Sequence, residues 1–439
     1  MADRPFGFGL PEQPGDPERK PGDQNPFGPL GDADQFAQAL RQFADLLSYR
    51  GGPVNWDLAK DIARQVVASK GDPSVLDAQR AEITEALRLA DLWLEDVTSF
   101  PSGITKSQAW SRSEWVEATF PVWQQLIEPI AVKGVESMGS MLDIDPAQLG
   151  GDVPEEVRQA LGALGGGALG GLAPMLRQLG GAMIGGQTGT AIGELASDVA
   201  SSTDIGLPLG PAGTAALLPD GVAAFGAGLS VDSDEVRLFL ALREAAHHRL
   251  FAHVPWLRAH LLSAVEAYAS GISVDMNRVR EAMPDVDLSD PEALREALGG
   301  EGLFRPEDTP AQKAALARLE TTLALVEGWV TTVVAAAADG RLTHAIALAE
   351  AVRRRRASGG PAERTFATLV GLELRPRKQR EAAAIWSGVG AARGVAGRDG
   401  LWSHPDLLPT AEDLENPDAF VQGQPELDIS DLDKPDSDS

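Results

Sequence analysis

Arg243-Glu244-Ala245-Ala246-His247 sets a carboxylate and an imidazole three residues apart in an apolar, helix-forming stretch. On a helix that spacing brings both groups within one turn of each other. In H-E-x-x-H, two histidines one turn apart ligate a zinc ion, and the glutamate after the first takes a proton from the metal-bound water. Glu244 has the place of that general base and His247 that of the second metal ligand. Position 243, where the first ligand belongs, carries a guanidinium, which stays protonated and has no lone pair to offer. The chemistry in question is metal-assisted hydrolysis with one ligand replaced by a fixed cation.

Val236, Leu240, Leu250 and Phe251 define the apolar arc of this helix. His247 falls at its centre, with Arg243 about 40° to one side and Glu244 about 60° to the other. His248 points away, as a surface residue would. Arg and Glu are rarely buried without partners, so a neighbouring element must supply them. The spacing predicts a long helix over 309–338 with Leu316, Leu323, Val330 and Val334 as its stripe. Glu327 lies within about 40° of Leu323 on that helix, and Glu320, one heptad earlier, lies on the same side. Glu327 is a candidate third zinc ligand and equally a candidate counter-ion of Arg243. Three readings of the constellation stay open: an Arg243–Glu244–Glu327 ion-pair network around His247, an unusual zinc site using His247, Glu327 and Glu244, and a hydrolase with other ligands. Pro255 separates His253 from His260, and His344 and His404 are isolated. A di-iron centre would need a second E-x-x-H and a serine hydrolase of the common type a G-x-S-x-G; the sequence has neither.

The elements that must position these groups are helices. Amphipathic spacing predicts them over 34–47, 57–69, 73–98, 113–137, 256–269, 309–338 and 342–356. Asp232-x-x-Glu235 has the form of a capping box opening the motif helix. Gly162 to Gly193 holds twelve glycines, with Gly181, Gly185, Gly189 and Gly193 in an unbroken G-x-x-x-G series. Each glycine costs a helix about 1 kcal/mol relative to Ala, and close approach of two helix backbones would offset that. Residues 202–230 read as a compact linker with one short helix or hairpin. Arg353 to Arg356, with Arg375, Arg377, Lys378 and Arg380, form the strongly basic region, read as helix-dipole complementarity and a dock for the acidic tail. The expected fold is mainly α with few or no strands. Its parts are a Pro/Gly-rich disordered leader (1–31), a helical region with the glycine-rich pair (32–200), a motif region with C-terminal helices (201–414), and a disordered acidic tail (415–439).

Hydrophobic residues make up 43% of the 439 and include nine Trp, enough for a substantial core. The chain has no Cys, which excludes disulfides, Cys-ligated metals and thiol nucleophiles. A net charge of −26 argues against nucleic acid as partner and against anionic membranes. Between Ala411 and Ser439 ten acidic residues face one lysine. Stable membrane insertion is not expected, since no uncharged apolar run reaches the ~18 residues of a spanning helix. Nor does an apolar run follow Met1-Ala2-Asp3-Arg4-Pro5, so the expected location is cytoplasmic.

Leu238 to His247, continued by Arg249-Leu250-Phe251-Ala252-His253-Val254-Pro255-Trp256-Leu257, resembles the actinobacterial-type hydrolases grouped as zinc-dependent metalloproteases of the zincin-like superfamily. Val54-Asn55-Trp56-Asp57, Glu327-Gly328-Trp329-Val330, Gly359-Gly360-Pro361-Ala362-Glu363 with Thr365-Phe366, and Leu401-Trp402-Ser403-His404-Pro405-Asp406-Leu407-Leu408-Pro409 are similar too. The resemblance spans residues 33–415. It implies a mainly helical fold, zinc as cofactor, peptide or protein as substrate or partner, Glu244 as base and His247 as a ligand. Arg243 departs from the pattern at the first ligand. The alternative is a non-catalytic binding or scaffold protein derived from a metallopeptidase fold.

Overall fold

The computed structural model describes residues 52–140, 168–269, 271–274, 304–306, 309–357, 365 and 378–423. The expected leader, the helix over 34–47, Gly162 and Gly166 of the glycine series, the Gly359-Gly360-Pro361-Ala362-Glu363 block and the tail beyond 423 lie outside these residues. The described helices are α1 (Trp56–Lys70), α2 (Asp77–Leu94), α3 (Arg112–Ser140), α4 (Ala168–Asp198), α5 (Pro219–Gly226), α6 (Ser233–His253), α7 (Pro255–Ala269), α8 (Pro310–Ala338), α9 (Ala345–Ala357), α10 (Gln379–Gly400) and α11 (Pro417–Gly423). Short strands β1 (Lys106–Ala109) and β2 (Thr214–Leu217) pair in parallel; β3 (Ile272–Val274) and β4 (Phe304–Pro306) pair antiparallel. The fold is mainly α, as the periodicity predicts.

Residues 202–230 form β2 and α5 rather than a hairpin, because β2 finds its partner in β1, about a hundred residues earlier. Glu235 does not close a capping box. Asp232 caps α6 by accepting from the Asp234 amide, while Glu235 accepts from His344 N and pairs with His344 Nδ1 at 2.8 Å. Residues from 415 to 423 are not an unstructured tail: Phe420 of α11 is buried, and Val421 packs against Gly388 of α10.

The glycine series earns its place by letting α4 cross α1 at backbone distance. A Cβ on Gly185 would lie 2.5 Å from the Asn55 carbonyl oxygen, and one on Gly189 2.3 Å from that of Ala59. The Asn55 amide donates to Gly181 O at 2.9 Å, and its side chain caps α1. Gly189→Ala should therefore lower stability, the clash of about 1–3 kcal/mol outweighing the roughly 1 kcal/mol gained in helix propensity. At Gly186 the nearest atom to an added Cβ is Ile62 Cδ1, at 3.7 Å, so Gly186→Ala should be neutral or stabilising. Urea midpoints of the two variants check this; equal midpoints would remove the packing argument.

One apolar cluster runs from Ala59 on α1 to Phe420 on α11 and takes in the apolar residues of α6. From Phe239 to Leu250 every residue of α6 is buried. A helix buried on all sides cannot send its polar groups to water, so each must meet a partner inside. Thr309 caps α8 and Pro310 occupies its first turn. By length and composition α8 could cross a membrane, but 72% of its apolar window is buried within the protein, which accounts for its hydropathy.

Candidate functional site

The polar residues of α6 leave the helix in three directions. Arg243 and His247, one turn apart, face Glu327 on α8. Arg243 Nη2 donates to Glu327 Oε2 at 2.6 Å, and His247 Nε2 meets Oε1 at 3.0 Å. A third cation comes from the C-terminal turn of α9: Arg356 Nη1 lies 2.7 Å from the same Oε2. Arg356 is held in turn by its Nη2, which donates to Asp204 O at 2.6 Å. The loop bearing Asp204 closes over the carboxylate. At Gly206 (φ +78°) a Cβ would come within 2.9 Å of Glu327 Oε1, so both the left-handed backbone and the close approach require glycine. Burial would raise the Glu327 pKa, but the charges of Arg356 and Arg243 and the contact with His247 hold it well below the usual carboxylate range.

Glu244 and His248, also one turn apart, face β2 and the loop before it. Glu244 accepts hydrogen bonds from Ser202 Oγ, Thr203 N (3.1 Å), Thr203 Oγ1 (2.5 Å) and Ala216 N (3.0 Å). His248 Nε2 is 3.2 Å from Glu244 Oε1. Burial would raise the Glu244 pKa; His248, Ser202 and Thr203 outweigh it and bring it down to about 2. A general base works best with a pKa near the operating pH, so a carboxylate this acidic and this fully engaged is a poor proton acceptor. Ser202 Oγ lies 3.4 Å from His248 Nε2. A serine–histidine–acid relay needs serine and acid on opposite ring nitrogens, whereas here both meet Nε2.

Arg249 takes the third direction, with Nε on Asp91 Oδ1 at 2.9 Å and Nη1 on Phe100 O at 2.6 Å. A similar buried clamp surrounds Asp399, which accepts from Thr98 Oγ1, Ser99 N, Trp329 Nε1 and Arg398 Nε. These are structural pairings that join α2 and the segment after it to α6, α8 and α10.

The structure thus brings together Arg243, His247 and Glu327 and sets Glu244 apart from them. The expectation that Glu244 shares the arginine network does not hold, because the donors of the 202–216 segment hold its carboxylate. His248 is buried rather than exposed, on that same carboxylate. The basic run on α9 divides. Arg353 and Arg354 pair with Glu350 at the surface, while Arg355 and Arg356 reach inward to Asp198, Asp204 and Glu327. Lys378 pairs with Glu415 and donates to Ala411 O, both at 3.0 Å, exposed contacts between the basic region and the acidic segment. Sequence reasoning missed Arg356, Ser202 and Thr203, for which a run of arginines and a Pro/Gly-rich stretch gave no distinguishing signal.

A zinc ion here would require lone pairs from His247 and Glu327 and a third donor. His247 Nδ1 faces Arg243 O at 2.8 Å and Nε2 faces a carboxylate oxygen, so both ring nitrogens point at acceptors. Both Glu327 oxygens are engaged by cations or His247, and the third position is a guanidinium. No group of three or more His, Asp or Glu able to hold a metal occurs among the described residues. The residues present do not fit zinc.

A sequence model of the family described as zincin-like metallopeptidase matches residues 54–421. The crystal structure of "a putative hydrolase with a novel fold" from Chloroflexus aurantiacus is similar in fold, with a TM-score of 0.57 at 19% identity, over 84% of this chain and 97% of that one. No curated protein matches the sequence.

Proposed function

Because the chain belongs to the zincin-like metallopeptidase family, we propose that it keeps the scaffold of a metal-dependent hydrolase around a metal-free, non-catalytic centre. In this reading it acts as a helical binding or scaffold protein for a peptide or protein partner. A net charge of −26 makes nucleic acid an unsuitable one. The observation that carries the reading is the complete engagement of Glu327 by Arg243, Arg356 and His247. Zinc content per chain, measured by elemental mass spectrometry on protein purified without a His-tag or chelator, tests it. No stoichiometric zinc is expected, even after dialysis against zinc. About one zinc per chain, lost on His247→Ala or Glu327→Ala, would overturn it.

A second reading, a zinc-dependent hydrolase with a rebuilt ligand set, has one observation of its own. His247 and Glu327 converge from two helices to 3.0 Å, as two ligands of one ion would. The His247 Nδ1 contact to a backbone carbonyl is also the outer contact that orients ligating histidines. The same measurement decides between the two.

A further inference from the structure

We infer that the cation replacing the metal is not Arg243 alone but the pair Arg243 and Arg356, which together stand in for a divalent ion on Glu327. The inference rests on the metal-free reading above and extends it to a residue outside the motif. Both guanidiniums reach the same oxygen, Glu327 Oε2, at 2.6 and 2.7 Å, and they come from different helices, α6 and α9. Two guanidiniums and one carboxylate carry the same net charge as one zinc ion, one carboxylate and two neutral histidines. The exchange therefore leaves the net charge of the buried pocket unchanged, where an uncompensated charge would be costly. Arg356 is not a loose surface arginine swung inward. Its side chain is 17% exposed, and its second nitrogen is fixed on Asp204 O within the loop that Gly206 seats against Glu327. Reverting the motif residue alone leaves that guanidinium on the carboxylate a metal would need.

The test compares zinc binding by the full chain as wild type, Arg243→His, and Arg243→His with Arg356→Gln. Stoichiometry is read by elemental mass spectrometry after dialysis, and thermal midpoints are read with zinc and with chelator. The double variant should take up about one zinc per chain through His247, Glu327 and the new imidazole. The single variant should bind roughly 100-fold more weakly. Zinc should raise the thermal midpoint of the double variant more than that of the single variant. If that variant is unfolded without metal, zinc-dependent recovery of its helical circular dichroism supports the inference, and failure to refold in zinc overturns it. A folded double variant that binds no zinc, or a single variant that binds as tightly as the double, also overturns it. Stoichiometric zinc in the wild type would instead overturn the metal-free reading itself, so the two failures are distinguishable.

Discussion

Glu327→Gln should lower the folding stability of the metal-free protein by about 3–5 kcal/mol, the cost of leaving buried charge without its partner. Glu327 is 1% exposed and Arg243 8% exposed, so both charges are buried. The substitution keeps the shape but removes the negative charge that the two guanidiniums share, and it turns an amide NH2 towards one of three donors. The intact network need not be strongly stabilising, since desolvating its members offsets most of their attraction. Arg356→Met should accordingly cost less than Glu327→Gln, because Arg243 and His247 would still satisfy the carboxylate. Replacing Arg243, Glu327 and Arg356 together with Met should recover much of the loss. Urea unfolding followed by the fluorescence of the nine Trp, in chelator-treated buffer, measures all three. A loss below about 1 kcal/mol for Glu327→Gln, the scale of an exposed pair, would show that the cluster is solvated and the carboxylate free for other work.

Helix order was legible because burial in an α fold leaves a 3.6-residue trace, and α1, α2, α7 and α8 start within a few residues of their predicted positions. The glycine series was legible for a related reason: only close approach of two backbones justifies so many residues unfavourable to a helix. What periodicity could not show is direction around a helix buried on every side. On α6 the predicted arc places Arg243, Glu244 and His247 together, yet the 60° between Glu244 and His247 is enough to send them to different neighbours, α8 for one and the 202–216 segment for the other. His248 was misplaced by the same assumption, that one face of a helix must be wet. Arg356 was hidden for a different reason. A run of four arginines reads as a helix C-terminus seeking solvent, and only the tertiary position of α9 shows that its last turn lies over Glu327.

Acid should expose the second polar direction of α6. Glu244 has a pKa of about 2 in the folded protein against an ordinary value of 4.5. As pH falls below 4.5, the unfolded chain takes up a proton at this position before the folded one does, so stability falls with pH. The contribution of Glu244 is fully present above pH 4.5 and is lost progressively as pH falls through about 2, for a total of about 3 kcal/mol. Glu327 and Asp399 are depressed in the same direction, so the whole protein should be acid-labile for several reasons at once. The difference between wild type and Glu244→Gln isolates one of them. The variant cannot titrate at this position and is destabilised at neutral pH, because its amide NH2 faces Ser202, Thr203 or the Ala216 amide where a carboxylate accepted. Urea unfolding from pH 6 down to pH 2 should show the wild-type advantage shrinking as pH falls. Parallel curves would mean that the carboxylate titrates alike in both states, leaving it free to act as the base its place in the motif suggests.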